Sequence, residues 1–275
     1  MIAPQDFLPQ IADWVANLDD VFPGSWVKPY FAQWEVVHLL SLALIGGTTL
    51  LLNLRLIGFG LNDEPPSAVR RAVLPWLNLG VAGILVTGVL IGTSNPERLY
   101  TSEAFTAKML GLAAALILTY GVSLPAARAE GRLSRGAGLW AALGLAVFGV
   151  SLSVFAVANL VNPGLWHLVI AAALLVLFVT RGRMRIAYLL GLLGLMTTQV
   201  AIHHVIYRPD DYANLDPANK AMIGMYLAWI LAAAAIQIVR DGSASGRSVA
   251  VKALAYAGIL VWVVTAAAGR WIAFA

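Results

Sequence analysis

Eight stretches of about twenty apolar residues, joined by short loops that hold most of the charge, make up nearly all of this 275-residue chain. A run of that length crosses the hydrocarbon core of a bilayer as a helix. Inside hydrocarbon a chain has few alternatives, because every backbone N–H and C=O must be paired within the structure itself. The runs lack the alternating pattern of membrane-barrel strands. The expected spans are about Trp34–Gly60, Ala72–Thr93, Ala104–Leu124, Leu139–Val161, Leu165–Thr180, Met184–Tyr207, Ala218–Val239 and Ser248–Ala273, of which the fifth is short. The predicted class is therefore all-α: a polytopic membrane protein whose residues 34–275 form a bundle of eight transmembrane helices. The tight loops leave no room for a separate soluble domain.

Charge supports this reading and gives it a direction. Hydrophobic residues are 60% of the chain and charged residues 12%, against roughly 25% charge in soluble domains. Such a composition excludes a disordered chain, a nucleic-acid-binding domain and almost any soluble enzyme. The pI near 9.5 does not reopen the nucleic-acid reading, since the basic residues sit in short clusters between apolar runs. Twelve of the eighteen Lys and Arg residues, including Arg55, Arg70, Arg128, Arg181 and Arg240, fall on one side of the expected bundle. By the positive-inside bias that side is cytoplasmic. With eight spans both termini are then periplasmic, in a bacterial inner membrane.

Residues 1–33 read as a periplasmic interfacial segment. Phe7, Leu8, Ile11, Trp14, Val15 and Leu18 recur at helical spacing, which predicts an amphipathic helix on the outer membrane surface. Asp6, Asp13, Asp19 and Asp20 and the lack of a basic start argue against a signal peptide. There is no cysteine, which excludes disulfides, zinc–thiolate sites, iron–sulfur clusters, covalent c-type haem and cysteine nucleophiles. Walker-type, GxGxxG, GxSxG and HExxH motifs are absent too.

The four histidines thus carry most of the chemical information. His38, His167, His203 and His204 all fall near the outer ends of their spans. Ionisable groups inside a bilayer are costly and usually face the bundle interior, and imidazole is the commonest metal-ligating side chain. Glu35 and His38 are three apart and share a helix face, so Glu35 is a candidate to orient the ring as carboxylates orient metal-bound histidines. The competing reading puts Glu35 among the headgroups and has His38 bond a neighbouring helix. His203 and His204 point about 100° apart on a helix; His203, on the face of Gln199 and Met196, is the inward candidate. Tyr207 and the acidic loop after it stand ready to cap the site. Lys108 and Arg270, also near outer ends, would pair with an anion such as a haem propionate, or else reach for headgroups.

The first span, WEVVHLLSLALIGGTTLLLNLRLIGFG, is followed by RRAVLPWLNLGVAGILVTGVLIG and SEAFTAKMLGL, and the chain closes in GRWIAFA. This combination resembles an uncharacterised family of bacterial inner-membrane domains. That family has a Glu-x-x-His first helix ending in an Asp-Leu-Arg-type motif, a Leu-Pro-Trp helix, a Phe-x-x-Lys helix and a Gly-Arg-Trp-Ile-Ala end. The resemblance touches Glu35, His38, Asn53, Arg55, Pro75, Trp76, Phe105, Lys108, Gly269, Arg270 and Trp271, with Asn53 standing where the pattern has Asp. More loosely it is similar to copper-resistance D-type membrane domains and cytochrome b561-like bundles, which implies membrane histidines that hold haem or copper. The leading expectation is a redox protein holding b-type haem, with His38 and either His167 or His203 as axial ligands. Electrons would pass between a periplasmic partner and the quinone pool. The alternatives are a copper-binding protein, with His38, His167, His203 and His204 as candidate ligands, and a metal-free transporter or scaffold.

Overall fold

The computed structural model describes residues 2–157, 163–208, 210–245 and 248–274, and among these every regular element is helical. The outer end of the fourth expected span (158–161), the turn at 162, Pro209 and Arg247 lie outside the described residues. We number the long helices α1 (Phe31–Ile57), α2 (Pro66–Ser94), α3 (Glu103–Leu118), α4 (Ala137–Val157), α5 (Pro163–Val179), α6 (Gly182–Ala201), α7 (Tyr212–Ser245) and α8 (Val249–Trp271). α3 continues through a π-turn, Thr119–Ser123, into Leu124–Arg128, and α6 ends in a second π-turn, Ile202–Ile206.

Seven helices among the described residues are long and apolar enough to cross a membrane. α5 is the exception, with 17 residues and so a length of about 26 Å against a hydrocarbon core of about 30 Å. Near its start His167 stacks on Phe155 and meets Trp271 at the end of α8; just beyond its end Arg181 lies over the Phe59 ring, next to the end of α1. The helices expose Leu39, Leu40, Leu79, Val86, Leu139 and Leu190, which suits a lipid surround.

Local chemistry ends the helices where the chain needs to turn. Gly58 takes φ 95° after α1, and the amides of Gly58 and Phe59 close back on the Leu54 carbonyl, a glycine C-cap. Pro66 opens α2 at the position where a missing N–H costs nothing. The Ser102 and Ser248 hydroxyls cap α3 and α8 by accepting the amides of Phe105 and Val251.

α8 is the hub: it packs on α1, α3, α4, α5 and α7. α6 is peripheral, with Tyr188 its one buried side chain over Gly182–Ala201. Between the helices, small residues admit close approach. A Cβ at Gly111 of α3 would stand 2.5 Å from Thr265 Oγ1 of α8 and 3.1 Å from Ser151 Oγ of α4. The π-turn of α3 adds a buried polar tie. Ser123 Oγ donates to Asn53 Oδ1 (2.9 Å), Asn53 Nδ2 donates to the Thr49 carbonyl (2.9 Å), and Trp262 Nε1 donates to Thr119 Oγ1 (3.1 Å), linking α1, α3 and α8.

The amino-terminal segment is not the single amphipathic helix expected. It forms three short pieces, Pro4–Phe7, Pro9–Ile11 and Ala12–Ala16, since Pro4 and Pro9 each restart the turn. It is pinned to the loop before α3, where the Ile2 amide donates to Glu103 Oε1 (3.2 Å) and Tyr100 Oη donates to the Leu8 carbonyl (2.7 Å). Further on, Lys28 Nζ donates to Asp19 Oδ2 at 2.6 Å, and this bond holds the Asp19 carboxyl below its ordinary range. Phe7, Trp14, Phe22 and Trp26 remain exposed.

The close α3–α8 approach sets an expected outcome. Gly111→Ala should destabilise the protein by about 1–3 kcal/mol. Gly46→Ala should be near neutral, since nothing lies within 4 Å of that Cβ. Thermal unfolding in detergent compares the two; equal midpoints would show that the approach contributes nothing.

Candidate functional site

His38 lies in the second turn of α1, partly buried, on the face toward α2. Its Nδ1 is 2.8 Å from Thr87 Oγ1. The Thr87 hydroxyl has one proton, and it goes to the Gly83 carbonyl one turn back, at 2.6 Å. Thr87 can therefore only accept from the ring, so Nδ1 carries the imidazole proton and Nε2 keeps its lone pair. Two glycines open the surroundings. A Cβ on Gly88 would meet His38 Cε1 at 3.5 Å, and one on Gly269 of α8 would touch the Lys108 stem at 3.4 Å. Lys108 of α3 lies within electrostatic range of the His38 ring. An imidazole with a free lone pair thus shares its surroundings with an amine-bearing side chain. The pair suits a ligand that combines a Lewis acid with an anion.

The part expected of Glu35 belongs to Thr87. Glu35 is exposed and forms no hydrogen bond to His38. The ring turns instead to the helix that glycine brings close, since Gly80 and Gly83 both sit against Ser41 of α1. Sequence reasoning passed over Thr87. The available signal was a small and polar row on α2, Gly80, Gly83 and Thr87, at helical spacing.

The other histidines are placed elsewhere. His167 stacks on Phe155 (5.9 Å between centroids) and meets Trp271 edge-on (5.8 Å). Gly269 and Trp271 are two residues apart on α8 and so face about 200° apart. His203 lies in the π-turn that ends α6, partly buried, with Nε2 2.8 Å from Asn219 Oδ1 of α7. His204 is exposed, and Tyr207 follows in extended backbone. Gln199 accepts from Tyr226 Oη at 3.1 Å, and Met196 is exposed. Arg270 is exposed at the end of α8. Among the described residues no three His, Asp or Glu side chains gather as a metal site.

The model of a family of unknown function (DUF6644) matches residues 24–134. That range holds α1, α2 and α3, with His38, Thr87 and Lys108, and stops before His167, His203 and His204. No curated protein and no solved structure matches the chain.

Proposed function

We propose that this chain is an inner-membrane redox protein that binds b-type haem at the His38 site and exchanges electrons between a periplasmic partner and the quinone pool. The observation that carries the reading is the Thr87–His38 bond, which leaves His38 Nε2 as the one lone pair offered to a ligand there. His38 would hold the haem through Nε2, and Thr87 would hold the ring and its tautomer in the way that outer-shell partners do. Lys108 would pair with a propionate, with Gly88 and Gly269 keeping the surroundings clear of side chains. Bound there, haem would supply one-electron chemistry. In this reading His38 alone of the four histidines holds the group, since His167 stacks on Phe155 and His203 bonds Asn219.

Visible spectra and metal analysis of the detergent-purified protein test the proposal. A reduced-minus-oxidised Soret difference is expected, abolished in His38→Ala and retained in His167→Ala and His203→Ala. Thr87→Val should keep the fold and weaken haem retention roughly tenfold, the loss seen for outer-shell partners of bound metals. A protein without a Soret band, or one with stoichiometric copper in place of iron, overturns the haem reading.

We further infer eight crossings, with both termini periplasmic and residues 2–33 lying on the outer surface, their exposed Phe7, Trp14, Phe22 and Trp26 toward the headgroups. The reading rests on α5 running from the Trp271 end to the Phe59 end, and on the arginines grouped at the latter. The lack of native cysteine makes the test clean, as every introduced thiol is unique. In intact cells an impermeant maleimide should label Asn17→Cys and Asp211→Cys but not Ser134→Cys or Arg183→Cys. Labelling of Arg183→Cys from outside would mean that α5 does not cross.

A further inference from the structure

The opposite end of α1 holds a different chemistry. Arg55, in the last turn of α1, is 5% exposed, a burial that guanidinium groups tolerate only with partners. Two of its nitrogens have them, both in the loop to α2: Nε donates to the Glu64 carbonyl (2.5 Å) and Nη2 to the Asn62 carbonyl (3.4 Å). Nη1 is buried with no partner, and so is Nε of Arg70 in the second turn of α2. α1 and α2 are antiparallel neighbours joined by this loop, so the two unpartnered donors lie in one layer at one end of the bundle.

Among the described residues no carboxylate forms an ion pair with them. Asp63 and Glu64 are exposed, and neither Arg55 nor Arg70 forms an ion pair. The ion pairs seen among the described residues, Lys28–Asp19 and Lys220–Asp216, belong to the other end. More positive charge is brought in instead. Arg181 lies over Phe59, 5.8 Å from the ring centroid, and the Leu124–Arg128 segment packs on both α1 and α2. A buried cation without a counter-charge is strongly unfavourable. The group that best matches buried, unpartnered guanidinium N–H donors at one end of the bundle is an oxyanion with several acceptor oxygens.

We propose that Arg55 and Arg70 form a binding site for a phosphate group, supplied either by the headgroup of an anionic phospholipid of the inner leaflet or by free phosphate. The site is independent of the haem reading. Its position, at a helix end where hydrocarbon gives way to water, is the depth of lipid phosphodiesters. Arg55 also closes the loop, so phosphate binding there would brace the α1–α2 hairpin that carries His38 and Thr87 at its other end.

The experiment uses the full chain, delipidated in detergent. Native mass spectrometry measures retention of added phosphatidylglycerol against phosphatidylcholine, and thermal unfolding measures stabilisation by inorganic phosphate against chloride at equal ionic strength. The wild type should retain phosphatidylglycerol preferentially or gain stability from phosphate. The first result identifies the lipid as the source and the second identifies the free anion. Arg70→Gln should weaken the response roughly tenfold, as loss of a charge-assisted bond does. Arg55→Lys, which keeps the charge and loses the fork, should do the same. Arg135→Gln, at an exposed arginine of the next loop on that side, should leave the response unchanged. The site is overturned if neither phosphatidylglycerol nor phosphate is preferred, or if Arg70→Gln and Arg55→Lys respond like the wild type.

Discussion

In hydrocarbon the hydrophobic effect does not pull one helix toward another, because lipid tails are as apolar as leucine. The bundle therefore depends on close approach and on hydrogen bonds made where no water competes. Both are concentrated around α8. Gly111 lets α3 press on Thr265 and Ser151, and Ser123 and Trp262 bond across to Asn53 and Thr119. The π-turn in α3 turns Thr119 and Ser123 toward two different neighbours, and π-turns of this kind recur at functional sites. α6 shows the opposite case. It is held to α7 by a sparse row of polar contacts, His203 to Asn219, Gln199 to Tyr226 and Tyr188 to Trp229, and its apolar window is otherwise left to lipid.

The same rule fixes the state of His38. A partly buried imidazole needs its N–H satisfied, and Thr87 can satisfy it only as an acceptor because its own proton is already given to Gly83. One hydroxyl therefore sets the tautomer and leaves the lone pair on Nε2. His203 is satisfied the other way. The Asn219 amide oxygen takes the proton from Nε2, and the lone pair falls on Nδ1. Two histidines of similar depth thus present different nitrogens in different places. That is why their number alone says little about a shared site.

What was legible in the sequence follows from what one-dimensional patterns encode. Hydrophobic length gave the helices, and loop arginines gave two unlike ends. The helical offset separated a partly buried His203 from an exposed His204. Periodicity gives depth and face within a helix, but not which neighbour the face meets. For that reason Glu35, on the right face of α1, was matched to His38 while its true partner sat 49 residues away on α2. For the same reason four histidines at one depth do not say whether their rings meet, and among the described residues no three His, Asp or Glu side chains gather as a metal site. The amino-terminal pattern also misled: Trp14 and Val15 do recur at helical spacing, yet Pro4 and Pro9 break the segment into turns. Arg55 read as a topology marker, and its burial emerged only when the loop folded back over it.

The residues that match the family model, 24–134, contain the chemistry of the His38 site but not all of its walls. Lys108 lays its stem across Gly269, Asn53 sits against Gly258, and Thr119 takes the proton of Trp262. All three partners lie on α8, more than a hundred residues downstream. A side chain at Gly269 larger than alanine would displace Lys108, and one at Gly258 would press on the Asn53 amide. α8 therefore braces the helices of the matched range from outside it: Gly258 lies against the Asn53 amide of α1, and Trp262 and Gly269 meet Thr119 and Lys108 on the α3 side.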